Sequence, residues 1–148
     1  MASYIENRKA RRDYTILETL EAGIVLAGYE VKALRTGKGS LEGAHAVARG
    51  GEVFLVGMSI APYQPKNTPI DYEPDRARKL LLNKKEMLHI AETEGQKGLT
   101  IVPLSVYNKG RFVKVSLGIM RGKKKYDKRE DLKKRESDRD IERSLKRE

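Results

Sequence analysis

Two runs of alternating apolar residues, Val102, Leu104 and Val106 before Asn108-Lys109-Gly110 and Val113, Val115, Leu117 and Ile119 after it, set the class of fold open to this chain. Alternation with period two puts every second side chain on one face of an extended strand, and a short Asn/Gly turn between two such runs joins them antiparallel. Residues 44–57 repeat the arrangement, with Gly50-Gly51 supplying the positive backbone angles of a two-residue turn between 44–49 and 52–56. Upstream, Tyr14, Ile16, Glu18 and Leu20 alternate and lead into the apolar stretch 23–27, which predicts a long half-buried strand bent near Gly23.

Between these strands the spacing changes to that of helices. Val31 and Leu34 lie three apart, as do Lys32 and Arg35, so a short helix over 29–35 turns one pair inward and the other outward before Gly37 and Gly39 end it. Asn83 with Glu86 three residues on has the form of a capping box, and Met87, Leu88, Ile90 and Ala91 give the following helix an apolar face that Gly95 closes. Four of the five prolines fall in 62–74, which predicts a loop or lid across an open end of the domain. Three consecutive leucines, Leu80-Leu81-Leu82, cannot all face one core, so one is expected at the surface. Five or six strands in hairpins with about three short helices are expected to form a mainly β domain. The simplest closure is a small antiparallel barrel of oligonucleotide-binding type, and a two-layer sheet with helices on one face is the alternative.

The core must come from the first 120 of the 148 residues. The last 28 hold 13 Lys/Arg, 8 Asp/Glu and, as aliphatic side chains, Leu132, Ile141 and Leu145, too little apolar surface to offset the entropy of ordering. Glu130 with Lys134, Asp131 with Arg135 and Glu142 with Lys146 stand acid before base four apart, a register that adds about 0.2–0.5 kcal/mol each to a helix. That does not overcome helix nucleation. The chain therefore divides into a basic arm (1–13), a β domain (14–120) and a tail (121–148) expected to be disordered alone and helical on a partner.

Charge points to a polyanion. The net charge is +10, of which the tail supplies 13 − 8 = +5. Basic groups cluster at Arg8, Lys9, Arg11 and Arg12, at Arg76, Arg78 and Lys79, and at Arg121, Lys123, Lys124 and Lys125, and together with Lys32 and Arg35 they offer a footprint for an RNA backbone. Seven Tyr, two Phe and no Trp are few for stacking along a single strand, so folded RNA is the better match. Glu21 is the exception: on an RNA-facing surface its carboxylate accepts from a base edge or ribose hydroxyl, and otherwise it pairs with a local arginine. The N-terminal sequence has no signal-peptide layout and no cysteine is present, so a cytoplasmic protein is expected. His45 and His89 are the neutral-pH bases, neither accompanied by a triad or a metal-ligand set, and Gly37-Lys38-Gly39-Ser40 lacks the spacing of a phosphate loop. No catalytic residue, metal or cofactor is expected.

Five ordered motifs then carry a resemblance. Asn7-Arg8-Lys9-Ala10-Arg11, Glu21-Ala22-Gly23, the run from Gly28 to Arg35, Arg78-Lys79-Leu80-Leu81-Leu82-Asn83, and Gly122-Lys123-Lys124 with Asp127-Lys128-Arg129 closely resemble the SsrA-binding protein family, also called small protein B. The resemblance implies a barrel that holds the tRNA-like domain of transfer-messenger RNA, promotes its alanylation by alanyl-tRNA synthetase and delivers it with elongation factor Tu to stalled ribosomes. By motif it assigns Asn7, Glu21 and Leu81 to the tRNA-like domain and Lys32, Arg35, Arg78 and Lys79 to phosphates. It assigns Tyr126, Asp127, Lys128 and Arg129 to the decoding centre and messenger channel. Arg12, Ala33 and Ser59 stand where the family more often has His, Ser and His. A ribosomal protein or initiation-factor-like barrel that binds ribosomal RNA is the competing reading.

Overall fold

The alternating runs on either side of residue 110 build the centre of one sheet. The computed structural model describes residues 3–64, 66 and 68–122. Along the chain these form β1 (Ser3–Glu6), α1 (Arg8–Asp13), β2 (Tyr14–Ile24), α2 (Gly28–Arg35), β3 (Gly39–Ser40), β4 (His45–Arg49), β5 (Glu52–Val56), β6 (Ser59–Ile60), β7 (Arg78–Leu81), α3 (Lys84–Glu94), β8 (Leu99–Lys109) and β9 (Phe112–Gly122). Seven strands make an antiparallel sheet in the order β1-β8-β9-β2-β7-β5-β4, and β3 pairs with β6 apart from it. The fold is mainly β with three helices, as the patterning predicts. The sheet curls so that its edge strand β4 lies against β8, near the opposite edge.

The expected hairpins are present. β4 and β5 pair from His45↔Val56 to Arg49↔Glu52 around Gly50 and Gly51, whose φ angles of 61° and 77° side chains other than glycine rarely adopt. Asn83 caps α3 as predicted, accepting from the Glu86 amide at 2.8 Å while Glu86 accepts from the Asn83 amide at 3.1 Å.

Two β-bulges change which residues face the core. Leu104 is the extra residue between the pairs Pro103↔Leu117 and Ser105↔Ser116. Its insertion flips the phase of β8, so Ile101 and Val106 join the main core while Val102 and Leu104 meet Ala10 and Met120 in a second cluster under α1. The expectation that Val102, Leu104 and Val106 share one face is thereby corrected. Val115, Leu117 and Ile119 do share the main core, with Val113 packed against it. Leu17 is the matching extra residue in β2, between Ile16↔Met120 and Glu18↔Ile119. Ile16 and Leu17 are both exposed, and β2 enters the main core in its second half, through Ala22 and Ile24 with Leu20 packed against them.

Other differences have equally local causes. Residues 3–13 are not an arm: β1 pairs with β8 and α1 follows directly. Asn7 makes this turn, its side chain accepting from Ala10 N at 3.1 Å and donating to the carbonyls of Pro103 (2.9 Å) and Leu41 (3.3 Å). The Leu triplet belongs partly to β7, where Leu80 is buried and Leu81 is 53% exposed. In α3 the buried residues are Ile90 and Thr93, and Leu88 stays at the surface, because the helix touches β4 and β8 along a narrow stripe.

A fully buried carboxylate and guanidinium hold the remaining pieces. Glu30 of α2 and Arg78 of β7 are both 0% exposed, with Arg78 Nη2 2.7 Å and Nε 2.8 Å from Glu30 Oε2. Arg78 also donates to the carbonyls of Met58 (2.8 Å), Pro74 (2.9 Å) and Arg76 (3.1 Å) and to the Tyr72 hydroxyl (3.2 Å). Glu30 accepts besides from Arg76 and from the Ala27 amide at 2.9 Å. Burial works against the Glu30 anion, yet the hydrogen bonds from Arg76, Ala27 and Arg78 outweigh it and hold its pKa below the usual carboxylate range. The proline-bearing loop is therefore pinned at Tyr72 and Pro74 from inside the domain. Arg78→Ala leaves the buried carboxylate without its principal partner and is expected to cost about 3–5 kcal/mol, read as a fall in the urea midpoint.

Candidate nucleic-acid interface

The far end of β2 carries a concave surface built from three elements. Val31 and Arg35 of α2 form one wall, Leu81 of β7 the floor, and Arg111, Phe112 and Lys114 of the β8–β9 hairpin the other wall. Gly23 makes this possible: a Cβ there would lie 3.1 Å from Leu81 Cβ, so the missing side chain lets Leu81 lie across β2. Phe112 is 66% exposed, with Lys114 Nζ 5.7 Å from its ring centroid. An apolar floor, a flanking aromatic ring and three cationic side chains suit an unstacked base with its phosphates.

Glu21 borders this groove through Lys114. Its carboxylate accepts from the Tyr107 hydroxyl and from Lys109 Nζ at 3.0 Å. The Tyr107 hydrogen bond, followed by that of Lys109, lowers the Glu21 pKa. In return Tyr107 is pushed up to about 12, first by burial and then by the Glu21 hydrogen bond and charge. The carboxylate thus has local partners, a tyrosine and a lysine where an arginine was the expected one, and its exposed position leaves room for an outside donor as well.

A second basic surface lies at the other end of β2. Arg8, Lys9, Arg11 and Arg12 are exposed on α1, where Lys9 reaches Glu42 (3.4 Å) and Arg11 reaches Glu6 (3.8 Å). Lys9, Asp13, Tyr14 and His45 line a shallow concavity beside them. Tyr14 and Gly23 lie nine residue steps apart on β2, about 30 Å along the strand at ~3.3 Å per step. The expected single footprint is therefore two surfaces at opposite ends of the sheet. Gly122 pairs with Tyr14, so the chain leaves the described domain at the α1 end.

The sequence-predicted residues separate accordingly. Lys32, Arg35 and Leu81 are exposed at the groove end, and Lys79 is exposed with Glu52 3.0 Å away. Two residues expected as contacts are instead buried. Arg78 commits its guanidinium N–H groups to the interior, and Asn7 is 5% exposed with its amide engaged in capping α1 and bonding β8 and Leu41. Both residue types are indistinguishable in sequence from surface contacts until their partners are known. Lys123, Lys124, Tyr126, Asp127, Lys128 and Arg129 lie outside the described residues. Sequence reasoning did not select Arg111, Phe112 and Lys114, although an exposed phenylalanine between cationic residues just after a hairpin turn is a readable sign. Of the two histidines, His89 pairs with Glu18 at 2.8 Å and His45 is exposed at the start of β4. Among the described residues no group of His, Asp and Glu is placed to hold a metal ion, and no helix is long and apolar enough to cross a membrane.

A curled antiparallel sheet bearing two separated basic surfaces is the build of a nucleic-acid-binding protein. Comparison with known proteins narrows this. The SmpB protein family matches residues 4–147. SsrA-binding protein of Chloroflexus aggregans is 52% identical over 147 residues, 99% of this chain and 93% of that one, and the SsrA-binding protein of Microcystis aeruginosa is 49% identical over 142 residues, 96% and 92% of the two chains. A solved chain described as "tmRNA-SmpB: a journey to the center of the bacterial ribosome" superposes with a TM-score of 0.69 at 50% identity, covering 82% of this chain and 85% of its own. The chain belongs to the SmpB family.

Glu21→Gln removes the charge that opposes tyrosinate formation at Tyr107. In an absorbance titration the late-ionising tyrosine near pH 12 is expected to shift to lower pH without reaching the ordinary tyrosine range, because burial remains.

Proposed function

We propose that this protein is the RNA-binding adaptor of trans-translation. It binds the tRNA-like domain of transfer-messenger RNA, promotes its alanylation and brings it to stalled ribosomes so that the nascent chain is tagged and the ribosome released. It acts in the cytoplasm and carries out no covalent chemistry. Alanyl-tRNA synthetase and elongation factor Tu meet it through the RNA complex. The observation that carries this reading is the pair of basic surfaces about 30 Å apart along β2, with the chain leaving beside one of them. One protein can then face two partners at once.

The groove end takes the tRNA-like domain. Lys32, Arg35, Lys79 and Lys114 neutralise phosphates there, Leu81 and Phe112 meet a base, and Glu21 accepts from a base edge or ribose. The sheet closes as an oligonucleotide-binding barrel over residues 14–120, a reading supported by the approach of β4 to β8. The α1 end, with Arg8, Lys9 and Arg11, faces the ribosome, and residues 121–148 continue from it into the decoding centre and messenger channel. There Lys123, Lys124, Tyr126, Asp127, Lys128 and Arg129 make the contacts and the tail becomes helical.

Filter binding at fixed salt tests the ligand. Transfer-messenger RNA is expected to bind far more tightly than bulk ribosomal RNA, and equal affinities would favour a ribosomal-protein-like role. Arg35→Ala is expected to lower the slope of log affinity against log salt by about one, as for a lost phosphate contact. Removing residues 123–148 is expected to leave affinity for the tRNA-like domain nearly unchanged while abolishing tagging on stalled ribosomes. A large loss of RNA affinity in that truncated chain would contradict the division of labour.

A further inference from the structure

We propose that Glu30 is a positioning residue for RNA binding: its buried carboxylate, held by Arg78 and Arg76, fixes where α2 presents Lys32 and Arg35 over the groove. The inference rests on the placement of RNA against α2 given above. It begins from an asymmetry among the walls of the groove. Leu81, on β7, and Arg111, Phe112 and Lys114, on the β8–β9 hairpin, are tied to one another by hydrogen-bond ladders, since β7 pairs with β2 and β2 with β9. The helix α2 belongs to no ladder. Ala33 and Leu34 pack it by apolar contact, which resists separation but sets position along and around the helix axis weakly.

Glu30 supplies the direction that such contacts lack. It stands in the first turn of α2, where it accepts from the Ala27 amide and so fixes the start of the helix, while the same carboxylate takes the Arg78 and Arg76 guanidinium groups. Lys32 and Arg35 lie two and five residues on, about 200° and about 140° around the helix, and so point away from the sheet. Arg78 is equally well placed to transmit position. Within β7, Arg78 and Leu80 face inward while Lys79 and Leu81 face outward, so one four-residue strand holds the ion pair on its inner side and the groove floor on its outer side. The pair therefore ties two walls of the groove to each other. Tyr72 closes the arrangement, donating to the Ile60 carbonyl at 2.8 Å and meeting the Tyr29 ring edge-on with centroids 5.2 Å apart. An interior in which both charges are this fully bonded has one position for α2.

A merely structural pair and a positioning pair differ in what an apolar replacement does. Exchanging both charged partners of a buried ion pair for apolar residues of similar volume commonly preserves stability, because neither is left unpaired. Full-length E30M/R78M is accordingly expected to fold with a urea midpoint above that of Arg78→Ala, though below the wild type because the Met58, Pro74 and Arg76 carbonyls lose their donor. In filter binding to a transfer-messenger RNA transcript it is expected to lose about tenfold in affinity, with a salt slope smaller by about one. A folded double variant with wild-type affinity and slope would assign the pair to stability alone and overturn the proposal. Should that variant not fold, Arg76→Met spares the Glu30–Arg78 contact. Its effect on affinity is expected to vanish in a Lys32→Ala/Arg35→Ala background, where α2 has no cation left to position, and additive effects would equally overturn positioning. Wild-type affinity in Lys32→Ala/Arg35→Ala alone would show instead that the cations of α2 do not touch the RNA.

Discussion

A carboxylate and a guanidinium held out of water must satisfy each other and nearly every other hydrogen-bonding capacity they have, and the Glu30–Arg78 pair imposes that demand on the fold. It is met by backbone carbonyls at Met58, Pro74 and Arg76 and by the Ala27 amide, groups spread over the start of α2, the end of the β5–β6 connection and the loop before β7. Segments with little apolar surface of their own are thereby placed by directional bonds. The loop rich in proline, which its composition marks as irregular, is ordered at Tyr72 and Pro74 by these bonds, with the Tyr29 ring packed against Tyr72. Ile70, a few residues away and beyond reach of the network, is fully exposed.

Much of this architecture is written in the sequence at the level of periodicity. The hairpin of β8 and β9, the Gly50-Gly51 turn, the Asn83 capping box and the inward face of Val115, Leu117 and Ile119 all follow from rules that involve neighbours within a few residues. What was not legible depends on partners far along the chain. Asn7 gives no local sign that its amide will bond Pro103, 96 positions away, nor Arg78 that it will meet Glu30, 48 positions away. A basic residue inside a basic motif looks like a surface contact until a buried acid is placed beside it. The short strand β1 was hidden for a similar reason, since four residues carry too little alternation to stand out from a charged terminus. Bulges are the third blind spot, because a single extra residue at Leu17 or Leu104 leaves composition untouched and reverses the facing of the residues beyond it.

The interface shows the same division. Lys32 and Arg35 follow from the spacing of α2, whose inward face leaves them outside, whereas spacing left open which of the three leucines is exposed and only the family resemblance singled out Leu81. Arg111, Phe112 and Lys114 needed the three-dimensional neighbour relation between the β8–β9 turn and α2, which no spacing along the chain reports. Glu21 lies between these cases. Its exposure follows from its place beside the inward Ala22, whereas its partners Tyr107 and Lys109 come from two strands away in the sheet.

The length of β2 has a consequence for how such a molecule can vary. The strand separates the α1 surface from the groove and therefore works as a ruler between whatever each surface grips. Because facing alternates with period two, the ruler can be lengthened or shortened without inverting a surface only in steps of two residues, about 7 Å each, and β9 must change with it to keep the ladder. An odd step requires a bulge to absorb it. Both flanks of β9 already carry one, at Leu17 and Leu104. The spacing between the two surfaces is thus quantised by the pleat of the sheet, so a lineage that needed a slightly different reach would find it by moving bulges rather than by sliding the surfaces themselves.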